Sequence, residues 1–462
     1  MMYRSTRGAP SEIDFVEASL LGLAPDGGLY TPIVYPPLTP DAPSRSYVET
    51  AVKVISAFAG ASLPADVIRT LAERAYAPFA HASVAPLAQV GPGRWMLELH
   101  HGPTLAFKDI AMRLIAQLYD HVLGQRGERM TILCATSGDT GGAAASAFAG
   151  AEHVDIVILH PFNRVSPTQR LFMTATGADN VHNLALEGDF DGTQAILKQL
   201  LADEPFRRRT SLAAVNSINW TRVAAQSVYF AQAQAQLGAA TPIRFVVPTG
   251  NFGDALAAYV AFRCGLLNGF DCVAAVNAND AMARLLAGEP LTRGRTHPTL
   301  SPAMDIQLPS NFERLLFEAV DRDGAAVARA YADLASDGAG QLPQVASKAF
   351  RSMGFSAERV DDAETLEEMR RTYSETGWMV CPHTAVGLAA ARRGQVEGGA
   401  IVTLATAHAA KFPETVEQAL GVRPGLPDRV GDVVSRPERF DVGPMSLAFV
   451  KDRIEAVVRA KS

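Results

Sequence analysis

The sequence contains little of what disulfide-rich and metal-binding proteins need. Its 462 residues include only 4 cysteines, at positions 134, 264, 272 and 381, and no two of them have C-x-x-C spacing. Histidine is also rare, with 10 residues and no H-E-x-x-H pattern. We therefore expect neither a disulfide framework nor a metal site, and unpaired thiols are typical of a reducing compartment such as the cytoplasm.

Charge and long apolar runs are scarce as well. Charged residues make up 19% of the chain, the formal net charge is −6, and residues 207–209 (RRR) are its one tight basic run. A weakly acidic surface does not attract nucleic acid, so we expect no nucleic-acid partner. No apolar run is long enough to span a bilayer, and the N-terminus lacks the apolar core of a signal peptide. We expect a cytoplasmic protein with no membrane partner.

Short apolar runs alternate with helical patterns from about residue 110 onwards, which predicts an α/β fold with mainly parallel sheets. The predicted strands are 130–135, 154–159, 181–186, 243–247, 272–276 and 401–405. Residues 280–310 and 335–365 are rich in Gly, Pro and Ser and predict long surface loops. We divide the chain into a mostly helical N-terminal segment (1–85) and two α/β domains (86–209 and 210–462).

A lysine stands at the opening of the most strongly patterned helix. Residues 102–109 (GPTLAFKD) place Lys108 just before apolar positions with helical spacing, and Gly124 is the predicted end of that helix. The positive end of the helix dipole and burial beside Phe107 both favour a neutral amine, which can attack a carbonyl. The alternative is a surface lysine without a chemical role.

Three turns at the ends of predicted strands carry glycines and hydroxyls: residues 135–142 (ATSGDTGG), 248–254 (PTGNFGD) and 405–411 (ATAHAAK). The first two open helices, where main-chain N–H groups favour an anion, although the first could also be an ordinary tight turn. The second matches neither a Walker loop nor a dinucleotide fingerprint, so it predicts a site for a single phosphate. In the third, the Thr406 hydroxyl would lie at the carboxyl ends of the strands, where open α/β sheets bind ligands.

A further polar segment, residues 216–222 (NSINWTR), precedes another helical pattern. Its donors would suit a second anion, whereas the alternative is that Asn219 simply caps the helix. A helix-start lysine, a one-phosphate loop and a strand-end hydroxyl are together what pyridoxal 5′-phosphate requires: an amine for its aldehyde, a cup for its phosphate and a partner for its pyridine nitrogen. We therefore predict this cofactor.

At this point the chain resembles the threonine synthases, which belong to the tryptophan synthase β-like (fold type II) family of pyridoxal-phosphate enzymes. The resemblance covers nearly the whole chain. The matching segments follow the order of the family: 3–8 (YRSTRG), 26–30 (DGGLY), 101–109 (HGPTLAFKD), 136–141 (TSGDTG), 216–220 (NSINW), 250–254 (GNFGD) and 406–408 (TAH).

The resemblance implies roles for particular residues. Lys108 would be the Schiff-base lysine and proton shuttle, and Thr406 would face the pyridine nitrogen. The cofactor phosphate would be held by Gly250, Asn251, Phe252, Gly253 and Asp254. The cofactor's phenolic oxygen and the substrate carboxylate would lie near Ser137, Asp139 and Thr140. The substrate phosphate would be bound by Asn216, Ser217, Asn219 and Arg222. Ser5, Thr6 and Arg7 match the family pattern without an assigned contact.

The implied reaction converts O-phospho-L-homoserine and water to L-threonine and phosphate, and we expect a monomer. Alternatives are a phospho-lyase that releases 2-oxobutyrate, ammonia and phosphate, and a non-catalytic relative that binds ligands. A nicotinamide-dependent dehydrogenase lacks support because the dinucleotide fingerprint is missing. Three positions depart from the family pattern: Ala409 replaces a common proline, Cys381 an acidic residue and His100 a bulky aromatic residue.

Overall fold

The computed structural model describes residues 1–43, 45–215 and 217–459. Its strands are β1 (Met2–Ser5), β2 (Ile13–Asp14), β3 (Tyr30–Pro32), β4 (Leu87–Gly91), β5 (Arg94–Glu98), β6 (Met130–Ala135), β7 (Val154–Pro161), β8 (Val181–Glu187), β9 (Leu212–Ala214), β10 (Ile243–Pro248), β11 (Asp271–Val276), β12 (Leu291–Thr292), β13 (Ala339–Gly340), β14 (Phe355–Arg359), β15 (Ala400–Ala405) and β16 (Asp441–Pro444).

The helices alternate with these strands over most of the chain. They are α1 (Phe15–Leu21), α2 (Tyr47–Ala59), α3 (Ala65–Tyr76), α4 (Lys108–Arg126), α5 (Asp139–Phe148), α6 (Pro167–Thr174), α7 (Phe190–Ala202), α8 (Glu204–Arg209), α9 (Trp220–Leu237), α10 (Gly253–Arg263), α11 (Ala281–Ala287), α12 (Phe312–Ala319), α13 (Gly324–Asp337), α14 (Gln344–Ser352), α15 (Asp362–Thr376), α16 (Pro382–Arg392), α17 (Pro413–Leu420), α18 (Asp428–Gly431) and α19 (Leu447–Arg459).

One compact unit, which we call the six-stranded unit, comprises Met1–Ala72, His81–His101 and Ser217–Gly425. The strand order of its main sheet is β14-β11-β10-β15-β5-β4, and all neighbours in it are parallel except β4 and β5. β10 and β15 pair with Val246 opposite Thr403. The chain therefore leaves both strands at the same edge of the sheet, which brings the loop after β10 close to the residues after β15.

The other compact unit, the five-stranded unit, comprises Glu73–Ala80, Gly102–Asn216 and Leu426–Ser462. Its sheet is parallel throughout, with the order β16-β8-β7-β6-β9. β7 is buried along its whole length, as expected of a strand covered on both faces. Each buried Val, Ile or Leu of this strand stabilises the fold by about 1.5–3 kcal/mol.

The predicted α/β class with mainly parallel sheets is confirmed, and the six predicted strands all form with ends shifted by at most two residues. The predicted end of the Lys108 helix at Gly124 is wrong. The helix continues to Arg126, and Gly127 ends it in the left-handed conformation with φ of 64°. Gly124 is tolerated inside the helix because a glycine there costs only about 1 kcal/mol relative to alanine.

The prediction of long surface loops at 280–310 and 335–365 is also wrong in part. These segments contain α11 and β12 in the first and α14 and β14 in the second. Most of the Gly and Pro residues of these segments lie between short helices and strands, and they do not prevent these elements from forming. The N-terminal segment (1–85), predicted to be mostly helical, contains the three helices α1, α2 and α3 and also a three-stranded antiparallel sheet, β2-β1-β3.

The division of the chain at residues 85 and 209 stays a prediction. Within the described residues, no helix has both the length and the apolar character needed to cross a bilayer.

Candidate active site

Lys108 is the first residue of α4 and is 8% exposed. Its Nζ lies 4.6 Å from the centre of the Phe107 ring and 3.5 Å from Oδ2 of Asp139. The helix start and the apolar neighbour are those predicted from the sequence, whereas the carboxylate contact is new and favours the charged amine. A buried lysine held between an aromatic ring and an acid is suited to gain and lose a proton during a reaction.

The turn before Lys108 is closed by the side chain of Asp109, which is fully buried. Its carboxylate accepts from the Thr104 N–H at 2.7 Å and from the Thr104 hydroxyl at 2.6 Å. A Cβ at Gly102 would lie 2.4 Å from Oδ2 of Asp109, so this position requires glycine. Leu105 lies in the left-handed region, with φ of 61°. This strained turn therefore depends on the two bonds to Asp109.

The loop from Thr136 to Asp139 leads from β6 into α5. The Thr136 hydroxyl accepts from the N–H groups of Gly138 and Gly141, both at 3.0 Å. Oδ1 of Asp139 accepts from Nε2 of Gln169 at 3.1 Å, which leaves Oδ2 facing Lys108. The sequence does not predict the contact between Gln169 and Asp139, because the two residues lie 30 positions apart. Of the predicted substrate residues on this loop, Ser137 is exposed and Thr140 is half-buried.

In the six-stranded unit, the predicted phosphate loop lies between β10 and α10. Phe252 caps α10 in the left-handed conformation, with φ of 63°. A Cβ at Gly250 would lie 2.6 Å from the carbonyl oxygen of Ala303, so the loop packs tightly on that neighbour. The first turn of a helix leaves main-chain N–H groups without intrahelical partners, and these favour an anion.

The two polar side chains of this loop face neighbouring segments. Oδ1 of Asn251 accepts from the Ser310 hydroxyl at 3.0 Å. Oδ1 of Asp254 accepts from the Tyr229 hydroxyl at 2.8 Å and from Nε2 of Gln226. Asp254 therefore fastens α10 to α9 through its side chain. Its predicted role in cofactor binding stays a prediction.

Thr406 directly follows β15 and is 5% exposed. Because β10 and β15 are parallel neighbours, Thr406 lies at the edge of the sheet where the predicted phosphate loop begins. The six-stranded unit thus brings together two of the predicted groups that lie more than 100 positions apart in the chain. A phosphate cup and a hydroxyl at one edge of a sheet can bind the two polar ends of one small molecule.

The segment predicted to bind the substrate phosphate lies at the start of α9. Asn219 caps this helix by accepting from the Thr221 N–H at 2.9 Å, and its Nδ2 donates to the Ser19 carbonyl at 2.7 Å. Ser217 is half-buried and Arg222 is 5% exposed. Asn216 lies outside the described residues. Asn219 therefore caps the helix, which was the alternative given for it. Its role in binding the substrate phosphate stays a prediction.

Comparison with known proteins decides the family. Residues 85–342 match the model of the pyridoxal-phosphate-dependent enzymes. Residues 2–76 match that of the threonine synthase N terminus, and residues 384–454 that of the threonine synthase C-terminal region. The threonine synthase of Pseudomonas aeruginosa is 44% identical over 458 residues, which cover 98% of this chain and 97% of the relative.

The chain belongs to the threonine synthase family.

Solved structures agree with this assignment. The crystal structure of pyridoxal-phosphate-bound threonine synthase from Brucella melitensis matches with a TM-score of 0.96 at 45% identity, covering 99% of this chain and 100% of that one. Threonine synthase from yeast matches with a TM-score of 0.92 at 32% identity, covering 99% of both chains. The predicted resemblance and fold type II are confirmed, and the chain is a pyridoxal-phosphate-dependent lyase.

The residues present fit pyridoxal 5′-phosphate. Lys108 offers a buried primary amine beside a carboxylate. The glycine at position 250 lets the loop approach Ala303 so closely that a side chain would clash there, and the loop ends in a helix start suited to one phosphate. Thr406 is a neutral hydroxyl, as the sequence analysis expected for the pyridine nitrogen. Which of these residues contacts which part of the cofactor stays a prediction.

The N-terminal threonine synthase motif has a structural role that the sequence analysis left unassigned. Arg7 donates to both carboxylate oxygens of Glu313, from Nε at 3.0 Å and from Nη2 at 2.7 Å. The Thr6 hydroxyl donates to the same carboxylate at 2.5 Å and accepts from the Leu29 N–H at 2.8 Å. The Ser5 hydroxyl donates to the carboxylate of Asp26. The motif therefore ties the N-terminal sheet to α12.

The three departures from the family pattern keep the local structure intact. Cys381 caps α16 with its sulfur, which accepts from the Thr384 N–H at 3.4 Å as an acidic side chain would. The His100 ring packs edge-on against His408, with ring centres 5.4 Å apart, and so replaces an aromatic contact. Ala409 begins a short 3-10 turn, a position where proline fits equally well.

Proposed function

We propose that this chain converts O-phospho-L-homoserine and water to L-threonine and phosphate. The observation that carries the proposal is the contact between Lys108 and Asp139 at the start of α4, within a chain that matches threonine synthases over its full length. The amine and the carboxylate are 3.5 Å apart and buried, so a proton held by this pair is shielded from water.

Bound pyridoxal phosphate supplies an electron sink for negative charge at the carbon next to the substrate amine. The free amine of Lys108 would remove the proton from the α-carbon and then serve as the base that deprotonates the β-carbon. Loss of the second proton lets the γ-phosphate leave, and a proton is then delivered to the γ-carbon, which becomes the methyl group of threonine. Water adds its hydroxyl to the β-carbon and its remaining proton ends on the released phosphate. Lys108 finally returns a proton to the α-carbon.

Asp139 assists Lys108 by balancing the charge that the amine acquires with each proton. Because Gln169 occupies Oδ1 of Asp139, the other oxygen stays directed towards Lys108. We assign Ser137 and Thr140 to the substrate carboxylate. We assign the substrate phosphate to Asn216, Ser217, Asn219 and Arg222. We assign the pyridine nitrogen to Thr406 and the cofactor phosphate to residues 250–254.

The deciding experiment is product analysis after incubation of the purified protein with pyridoxal phosphate and O-phospho-L-homoserine. Threonine and phosphate in equal amounts are expected. If the products are phosphate, 2-oxobutyrate and ammonia, the enzyme is a phospho-lyase that uses the same residues and not a threonine synthase. A cofactor-loaded protein that releases no phosphate would overturn the substrate assignment.

We also propose that the enzyme acts as a monomer in the cytoplasm. All four cysteines are buried, and so few cysteines in a chain of 462 residues suit a reducing compartment. Light scattering on the purified protein should give a mass of about 49.2 kDa. A mass of twice that value would contradict the monomer.

A further inference from the structure

We propose that Ser310 and Asn311, which immediately precede α12, are positioning residues that hold the cofactor-phosphate loop and the Ser217 segment in one fixed arrangement. The inference rests on the proposed function of these two segments. Neither residue belongs to a motif that the sequence analysis identified, and neither is assigned to contact the reacting atoms.

Asn311 bridges the two segments through its main chain and its amide. Its N–H donates to the carbonyl of Asn251 at 3.1 Å. Its Nδ2 donates to the Asn251 carbonyl at 3.3 Å and to the Ser217 carbonyl at 2.9 Å. The side chain is fully buried, so water cannot replace these bonds. One amide group thus sets the distance between the two loops.

The orientation of this amide is imposed by Arg314. Nη1 of Arg314 donates to Oδ1 of Asn311 at 2.7 Å, which directs Nδ2 of Asn311 towards the two carbonyls. The other donors of Arg314 bond the carbonyls of Tyr30 and Ile218 at 2.6–3.0 Å. Burial lowers the pKa of Arg314 to about 10, so the group stays charged at neutral pH. The amide is therefore held in one of its two flips.

Ser310 sets the orientation of a second amide, that of Asn251. Its hydroxyl donates to Oδ1 of Asn251 at 3.0 Å, and its N–H reaches the same oxygen at 3.4 Å. With the oxygen occupied, the NH₂ group of Asn251 is the end that points away from Ser310, as a donor suited to an anion. The Ser310 hydroxyl also lies 2.9 Å from that of Ser217. Ser310 thus contacts both segments that we assign to phosphates.

The start of α12 is itself anchored. Glu313, two residues after Asn311, accepts three hydrogen bonds from Thr6 and Arg7. The N-terminal family motif therefore acts on the two phosphate sites through α12. The motif can therefore serve the site through α12 without itself contacting the substrate.

The test compares the binding of pyridoxal 5′-phosphate and of pyridoxal, which lacks the phosphate, to the apoenzyme. Asn311→Asp keeps the size and the bond to Arg314 but places an oxygen against two carbonyls. We expect its affinity for pyridoxal phosphate to fall by about 10- to 100-fold, because hydrogen bonds that position a charged group are lost. The affinity for pyridoxal should change by less than about threefold on the same reasoning.

Ser310→Ala is the milder variant and keeps the test open if Asn311→Asp does not fold. It should weaken pyridoxal phosphate binding by about five- to tenfold and raise the KM for O-phospho-L-homoserine more than it lowers kcat. The matched controls are Asn268→Asp and Ser336→Ala, at exposed positions of the same unit. Both controls should bind the two ligands as the unmodified protein does.

Equal losses for pyridoxal phosphate and pyridoxal, or unchanged binding of both in folded variants, would overturn the proposal. Because the titration uses the apoenzyme without substrate, it is independent of the product analysis. A protein that binds pyridoxal phosphate through Ser310 and Asn311 but makes no threonine would refute the proposed reaction and leave the positioning role intact.

Discussion

Two loops that we assign to the same cofactor are held in opposite ways. The turn before Lys108 is closed by Asp109, whose partner Thr104 is 5 residues away. The loop at 250–253 is held by Ser310 and Asn311, which lie 59 and 60 residues from Asn251. A turn with local partners forms its geometry as soon as its own residues fold, whereas the other loop acquires its geometry from tertiary structure. The two loops should therefore respond differently to substitution.

The largest effect on activity is expected at Lys108, which directly follows the local turn. Lys108→Ala should lower kcat by about 10³-fold or more and abolish the visible absorbance of the bound cofactor, because Lys108 is the amine that we assign to the aldehyde. Steady-state kinetics and absorbance spectra measure both effects. The control is Lys198→Ala, at an exposed position of α7 in the same unit, which should behave as the unmodified protein. Turnover retained in Lys108→Ala would refute the assignment.

The contacts of Asp109 with Thr104, which close the local turn, should stabilise the folded protein. Asp109→Ala removes a fully buried carboxylate that makes two short bonds and lies near Arg113 and Arg429. We expect the free energy of unfolding to fall by about 2–4 kcal/mol, since a buried charged partner is lost. Denaturant unfolding measures this loss. If Ser310→Ala destabilises the protein as much as Asp109→Ala does, the contrast between the two loops fails.

Thr406 lies at the same edge of the sheet as the 250–253 loop. Its hydroxyl should affect catalysis more than folding. Thr406→Ala should lower kcat/KM by about tenfold, the effect of one lost hydrogen bond to a ring nitrogen. The melting temperature should stay within about 2 °C of that of the unmodified protein, because little volume is lost. Thr406→Ser restores a hydroxyl and should recover most of the activity. Kinetics unchanged in Thr406→Ala would mean that the hydroxyl does not meet the ring.

The smallest expected effect compares the two units in acid. Burial lowers the pKa of His160 in β7 of the five-stranded unit. The unfolded chain therefore binds more protons than the folded one below about pH 6.5, and the free energy of unfolding falls as the pH drops through that value. We expect a loss of about 1 kcal/mol between pH 7 and pH 5, reduced in His160→Leu.

Hydrogen exchange locates this acid effect. Amides of β7 should lose protection at pH 5 before those of β10 do, and the exposed His297→Leu should leave the pH dependence unchanged. Equal loss of protection in both strands would show that His160 is not the responsible group.

Sequence patterns predicted what local physics determines. Lys108 was found from its own neighbours, because a helix start and an adjacent aromatic ring are encoded within a few residues. The strands were found because their Val, Ile and Leu residues are buried on both faces. The cap at Asn219 was available as an alternative for the same local reason.

Long-range partners were not predictable in this way. Gln169 lies in α6, and Ser310 and Asn311 directly precede α12, but the contacts that link these three residues to the candidate site span 30 or more positions. The 280–310 segment was interpreted as a loop because its Gly, Pro and Ser content outweighed its short helix. Residues that position a site from a distant segment leave no local pattern, so the structure was needed to find them.

The order of strands has a consequence for how the chain is made. β15 lies between β10 and β5 in the six-stranded sheet, yet it is the last of the six strands to be synthesised. Until it leaves the ribosome, the sheet can exist only as β14-β11-β10 and β5-β4, each with an edge whose main-chain groups are unpaired. From the synthesis of β10 until that of β15, the nascent chain therefore carries two unpaired strand edges that could pair with other strands. The six residues of β15 then pair with both edges and join the two parts into one sheet.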